Sequence, residues 1–122
     1  MDIRTFLRQR LKTLTALTAG GALRRGLKTD TPELEDSLAA QWKTEARLIQ
    51  RVLDEPDEPV AVLHRWRERT ERFRDRYPER EGWTDQRGQF WRVDLVLTAI
   101  DNLLEHIESW EAASEFPEGE EE

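Results

Sequence analysis

The sequence predicts an all-α protein: an antiparallel four-helix bundle with a short basic connector after helix one and an acidic C-terminal tail. Three observations lead there. Apolar residues recur at three- and four-residue steps through four segments, the period of a helix with one buried face. Glycine, proline and capping signals fall between those segments, where helices stop and restart. No stretch alternates apolar and polar residues for more than a few positions, as a half-buried strand does. At 122 residues the chain has the size of one domain, assigned to 1–113. The remainder, 114–122, is expected to be an acidic, disordered tail.

Helix one is predicted from about Asp2, an N-cap residue type, to about Thr18, with Ile3, Phe6, Leu7, Leu14 and Leu17 in one arc. Gly20-Gly21 breaks it, and the basic connector Ala22 to Thr29 follows. Helix two opens on Thr31-Pro32-Glu33: a capping hydroxyl, a proline suited to the first helical position, and an early acid that suits the helix dipole. Its stripe is Leu34, Leu38, Trp42, Ile49 and Val52. The run Asp54 to Pro59 ends it, and so short a link makes helices two and three antiparallel neighbours. Helix three is predicted from Glu58 to Tyr77 with a seam of Val60, Leu63, Trp66, Thr70, Phe73 and Tyr77. A loop covers Pro78 to about Thr84. Helix four is predicted from Asp85 to Ala113 as the longest element, with Phe90, Val93, Val96, Leu97, Ile100, Leu103, Leu104, Ile107 and Trp110 on its apolar arc.

Charge is distributed in blocks along a chain of net charge −7. Residues 1–30 balance at +5, 31–59 at −5, 60–92 at +3, and 93–122 at −10 with no basic group. Basic helices beside acidic ones favour pairing, within one chain or between two. Arginine outnumbers lysine by 16 to 3. Absence of cysteine excludes disulfides and thiolate metal sites. No apolar run approaches the roughly 18–20 residues of a bilayer span. Arg4, Arg8, Arg10 and Lys12 interrupt any signal-peptide core, so a cytoplasmic location is expected.

The catalytic inventory is thin. His64 and His106 both project away from the apolar arcs, where a solvated histidine is the ordinary reading. No Glu-x-x-His pair, His-Glu-x-x-His, phosphate loop or dinucleotide fingerprint occurs. Ser37, Ser109 and Ser114 lack a nucleophile motif. The expectation is a non-enzyme with no cofactor and no metal.

Helix three holds the sharpest candidate surface. Arg65, Arg69, Arg72 and Arg76 step by four, three and four and stack on one face, spanning about 16 Å at 1.5 Å per residue. Projection sets this stripe roughly opposite the apolar seam. Guanidinium forks suit carboxylates and phosphates alike, while Glu68, Glu71 and Asp75 alongside offer the plainer reading of a salt-bridged, solvated face. On helix four, Asp94, Asp101, Glu105 and Glu108 form an acidic strip able to meet those arginines.

Trp83, Trp91 and Leu95 stand outside the seams: they either close the bundle over the loop before helix four or form an exposed patch suited to a protein interface. Arg10 and Glu45 fall inside apolar arcs, which predicts either a buried pair or charges that snorkel outward. The function expected is a helical interaction module, a small subunit or adaptor that docks on a protein partner through charged faces, with a homodimer as one outcome. Nucleic-acid or nucleoprotein binding through the arginine stripe is the alternative, set back by the net acidity. A membrane-peripheral role for basic, amphipathic helix one is a third reading.

Overall fold

The computed structural model describes residues 2–19 and 32–115. The basic connector, the Thr31 cap and the segment 116–122 lie outside the described residues. Among those described there are four helices and one two-stranded antiparallel sheet, in the order α1 (Ile3–Ala19), α2 (Pro32–Asp54), α3 (Pro59–Arg76), β1 (Gly82–Thr84), β2 (Phe90–Arg92) and α4 (Val93–Glu115).

Local chemistry sets most of the boundaries. The Asp2 carboxylate accepts the Thr5 amide at 2.8 Å, satisfying one of the free donors of the first turn. That bond holds the Asp2 carboxyl below its ordinary range. Pro59 occupies the first turn of α3, where its missing N–H costs nothing. Tyr77 closes the helix with its amide on the Phe73 carbonyl, and Pro78 follows. Between α2 and α3 the backbone turns within residues 55–58. There the Arg4 guanidinium donates to the carbonyls of Glu55, Pro56 and Asp57 at 3.2, 3.3 and 2.9 Å. These carbonyls lie just past the C-terminal end of α2, where a cation suits the helix dipole.

The core is continuous through all four helices. Leu7 and Leu14 of α1, Leu48, Ile49 and Val52 of α2, Val62 and Leu63 of α3, and Val96, Ala99, Ile100, Leu103 and Ile107 of α4 are buried, with Trp91 of β2 among them. Each large side chain contributes roughly 1.5–3 kcal/mol of transfer free energy. Helix α1 lies against α2, and both α2 and α3 pack on α4. Arg4 reaches Glu55 while Arg10 reaches Glu45, so α1 and α2 run in opposite directions. Phe6 stacks on Trp110 at 5.2 Å with ring planes 13° apart, tying α1 to the far end of α4.

Arg10 and Glu45 do meet. The guanidinium Nε donates to Glu45 Oε2 at 2.8 Å, with Glu45 only 1% exposed and Arg10 24% exposed. The buried hydroxyls are also satisfied: Thr44 donates to the Ala40 carbonyl at 2.8 Å, and Thr70, on α3, to that of Trp66 at 2.7 Å.

One predicted element begins in the wrong place. The stretch read as the first two turns of helix four is a hairpin, and α4 starts at Val93 rather than Asp85. It is then no longer than α2, at 23 residues each. Gly82 faces Arg92, Trp83 faces Trp91, and Thr84 faces Phe90. The turn explains the difference. The Gly88 amide donates to the Asp85 carbonyl, the Asp85 amide to the Gln89 carbonyl, and Gly88 has φ +81°. This is a three-residue loop closed by a left-handed glycine. Asp85 suits a helix N-cap and the first position of such a turn equally, and Gly88 three residues on decides for the turn. Phe90, expected in the apolar arc of helix four, is 47% exposed on β2. At the other end α4 continues to Glu115, past the expected limit at Ala113.

Candidate functional site

The hairpin wedges between α2 and α3, and its turn is organised around one carboxylate. Asp85 Oδ1 accepts the amides of Arg87 and Gln89, each at 2.9 Å, fixing the loop from within. Oδ2 accepts the Trp91 indole N–H at 2.8 Å and pairs with the Arg51 guanidinium of α2. The Trp91 hydrogen bond leads the causes that hold the Asp85 carboxyl below its ordinary value, with the two turn amides and Arg51 acting in the same direction. Arg47, one turn before Arg51, donates to the Phe90 carbonyl at 3.4 Å, and Asp54 pairs with Arg87 at 3.7 Å. One face of α2 thus holds the hairpin at three successive turns.

On its α3 side the hairpin is held by rings. Trp66 meets Trp91 edge to face at 4.9 Å and Trp83 at 6.4 Å. Phe73 packs on Trp83 at 5.4 Å and on Tyr77 at 5.1 Å. Between the two attachments a groove of about 620 Å³ stays open, with Trp66, Phe73 and Trp83 as its aromatic lining and Arg51, Glu55 and Arg69 among its polar groups. A shallower hollow of about 190 Å³ continues along α3 past Arg65, Arg69 and Arg72.

No family model matches the chain, and no curated protein and no solved structure matches it. The functional reading therefore rests on the groove and its residues.

The four stripe arginines differ in what they already hold. Arg65 pairs with Asp57 at 2.7 Å, and Arg72 touches Glu68 only at 4.0 Å. Arg76 lies over the Tyr77 ring at 5.5 Å. Arg69 has no ion pair among the described residues, and it lines both hollows. The stripe also stands closer to the aromatic seam than projection suggested. Arg69 follows Trp66 by three residues, about 60° around the helix, and shares its groove. The acidic strip of α4 meets α3 through a different cation, because Asp101 pairs with Arg67 at 3.3 Å. Asp94 pairs with Arg92 at 2.7 Å instead.

The exposed patch of Trp83, Trp91 and Leu95 does not form. Trp91 is 1% exposed, drawn inward by the Trp66 ring and its bond to Asp85. Leu95 is half-buried in the first turn of α4, and only Trp83 of the three reaches the groove. His64 and His106 are exposed, and His106 Nδ1 lies 2.7 Å from the Asn102 carbonyl. Among the described residues no three acidic, histidine or cysteine side chains gather as a metal site, and no helix is long and apolar enough to cross a membrane. Reading by helical period alone overlooks the roles of Arg51, Asp85 and Gly88. The Asp-Gln-Arg-Gly spacing beside two aromatic clusters was the available signal.

Proposed function

We propose that this chain is a non-enzymatic interaction module, an antiparallel four-helix bundle that docks on a protein partner through the arginine-bearing face of α3. The observation that carries this reading is the groove itself. It joins partly exposed Trp66, Phe73 and Trp83 to Arg69, a guanidinium with no ion pair among the described residues. Tryptophan, tyrosine, phenylalanine and arginine are the residues enriched where proteins bind each other. Among the described residues that line the groove, none is an activated nucleophile and no acid and base are paired for proton transfer. Asp85, the carboxylate in that lining with the most hydrogen bonds, has both oxygens occupied by structural donors.

Nucleic acid is the weaker alternative. Phosphate binding draws on accumulated positive charge, whereas Glu55 and Glu68 border the same hollows and the chain is net −7.

The test places a photo-crosslinking residue at position 86, where exposed Gln86 lines the groove without an ion-pairing role, and, separately, at the exposed Glu105, in cells of origin. A discrete protein adduct at 86 and none at 105 supports the module. Adducts with nucleic acid alone, or equal labelling from both positions, would refute it.

A further inference from the structure

We infer that the groove between α2, α3 and the hairpin is the seat of an acidic peptide segment that inserts an aromatic side chain. This inference rests on the interaction-module reading and names the partner's chemistry. The occupant follows from what the groove leaves unsatisfied. Of its two arginines, Arg51 is committed to Asp85, whereas Arg69 has no carboxylate among the described residues. In the hollow that continues along α3, Arg65 is committed to Asp57 and Arg72 is held only at the limit of an ion pair, and Arg76, further along α3 and outside both hollows, has an aromatic face but no ion pair among the described residues. Arg69, Arg72 and Arg76 stand on one side of α3 within about 10 Å along the axis, at 1.5 Å per residue. An extended chain covers that distance in about three residues, at roughly 3.3 Å each. Carboxylates two or three positions apart on an extended segment therefore match the row, and guanidinium forks bind carboxylates in two-pronged fashion.

The aromatic requirement comes from the other wall. Trp66, Phe73 and Trp83 are partly exposed, and all three line the groove. An incoming ring stacks there at offset or edge-to-face geometry, as Trp66, Trp83 and Trp91 already do with one another. Arg69 lies about 60° around the helix from Trp66, so an acid beside the inserted ring falls against the guanidinium. Glu55, on the opposite wall, has no ion pair among the described residues and sets a polarity. It repels a second acid on the α2 side, and Glu68 does the same beside Arg72, so the acids should be few and in register with the arginines along α3, unlike a phosphate at every residue.

The experiment is fluorescence anisotropy of a short fluorescein-labelled peptide, with a central phenylalanine flanked by glutamates, titrated with the full chain. Companion peptides carry alanine for the phenylalanine, or lysines for the glutamates. The expected result is saturable binding to the first peptide, weakened about tenfold or more by either peptide change and by Arg69→Glu. Arg69 is exposed, so its reversal should leave the helical circular dichroism and melting temperature unchanged. The peptide comparisons need no altered protein at all. Binding that survives loss of the phenylalanine and merely fades with salt would overturn the proposal, leaving a non-selective charged surface. Preference for a single-stranded oligonucleotide would overturn it in favour of phosphate recognition. A dimer abolished by Arg69→Glu and indifferent to the peptide would make the groove a contact between copies, which also overturns it. If the peptide fails to bind while crosslinking at position 86 still yields a protein adduct, this inference fails and the module reading stands.

Discussion

Separating Arg10 from Glu45 is the sharpest test of how the core is held. The two side chains meet at 2.8 Å, one of them 1% exposed and the other 24%. Removing one partner of a buried pair leaves an uncompensated charge, at a cost of roughly 3–5 kcal/mol. Water reaches Arg10, so the lower end applies. Arg10→Leu strands Glu45 where it cannot find solvent, and about 3 kcal/mol is expected to be lost. Glu45→Leu strands a longer, partly wet side chain that can swing its head outward, so about 2 kcal/mol is expected. Making both changes removes both charges, and apolar replacements of similar volume are often neutral. The double variant should lie within about 1 kcal/mol of the parent, well short of the sum. Urea melts followed by circular dichroism and tryptophan fluorescence measure all four corners of the cycle. For a chain of this size the Arg10→Leu loss amounts to a fall in Tm on the order of 10 °C. If the double variant loses the sum of the single losses, the pair is not coupled and the reasoning fails.

The other predictions concern the hairpin. A Cβ at Gly82 would lie 1.8 Å from the Trp91 carbonyl oxygen, so Gly82→Ala should force the strands apart and cost about 1–3 kcal/mol. The loss of cross-strand amide contacts in nuclear Overhauser spectra would check it. Gly88→Ala meets no neighbour but inherits φ +81°. It should cost roughly 1–2 kcal/mol in a chemical melt, and Gly88→Asn less. The Asp85 carboxyl is held below 3.8, so the stability that it supplies is complete well above pH 3.8 and is lost as pH falls through its lower folded value. The stability gap between the parent and Asp85→Asn should therefore be constant near neutrality and close in acid. A gap that widens on acidification contradicts the assignment. Trp91→Ala empties a buried ring site and strands part of Asp85. It should cost about 3–5 kcal/mol, and a loss below about 1 kcal/mol would show that the ring is not a packing centre.

What could be read in advance follows from the physics of each signal. The helical segments are periodic over four turns or more, and their stops are chemical, as at Pro78. Glu45 and Arg10 stood out because a charge in an apolar arc needs a partner, and each was the other's only misplaced counterpart. The hairpin was hidden because its strands are three residues long, too short for alternation to separate them from helix. Asp85 also satisfies two competing rules. Trp91 could not be placed from helical projection, because it does not lie on a helix. The groove is lined from α2, α3 and the hairpin together, by residues as far apart in sequence as Arg51 and Gln86. No window along the chain contains it.

The two attachments of the hairpin differ in kind, and that difference determines how the molecule can deform. Toward α2 it is fastened by directional bonds from Arg47, Arg51 and Asp54, and β2 runs directly into α4. Toward α3 it leans on ring faces at 4.9–6.4 Å. Directional bonds resist displacement, whereas stacked rings tolerate small sliding, the basis of shear motion between packed elements. A small slip of α3 along the aromatic surface would break no hydrogen bond to the hairpin, and its extent is limited by the Arg67–Asp101 pair and by the core that α3 shares with α4. The groove thus has one wall held by directional bonds and one held by rings, and the second is the wall with room to adjust to an occupant's width.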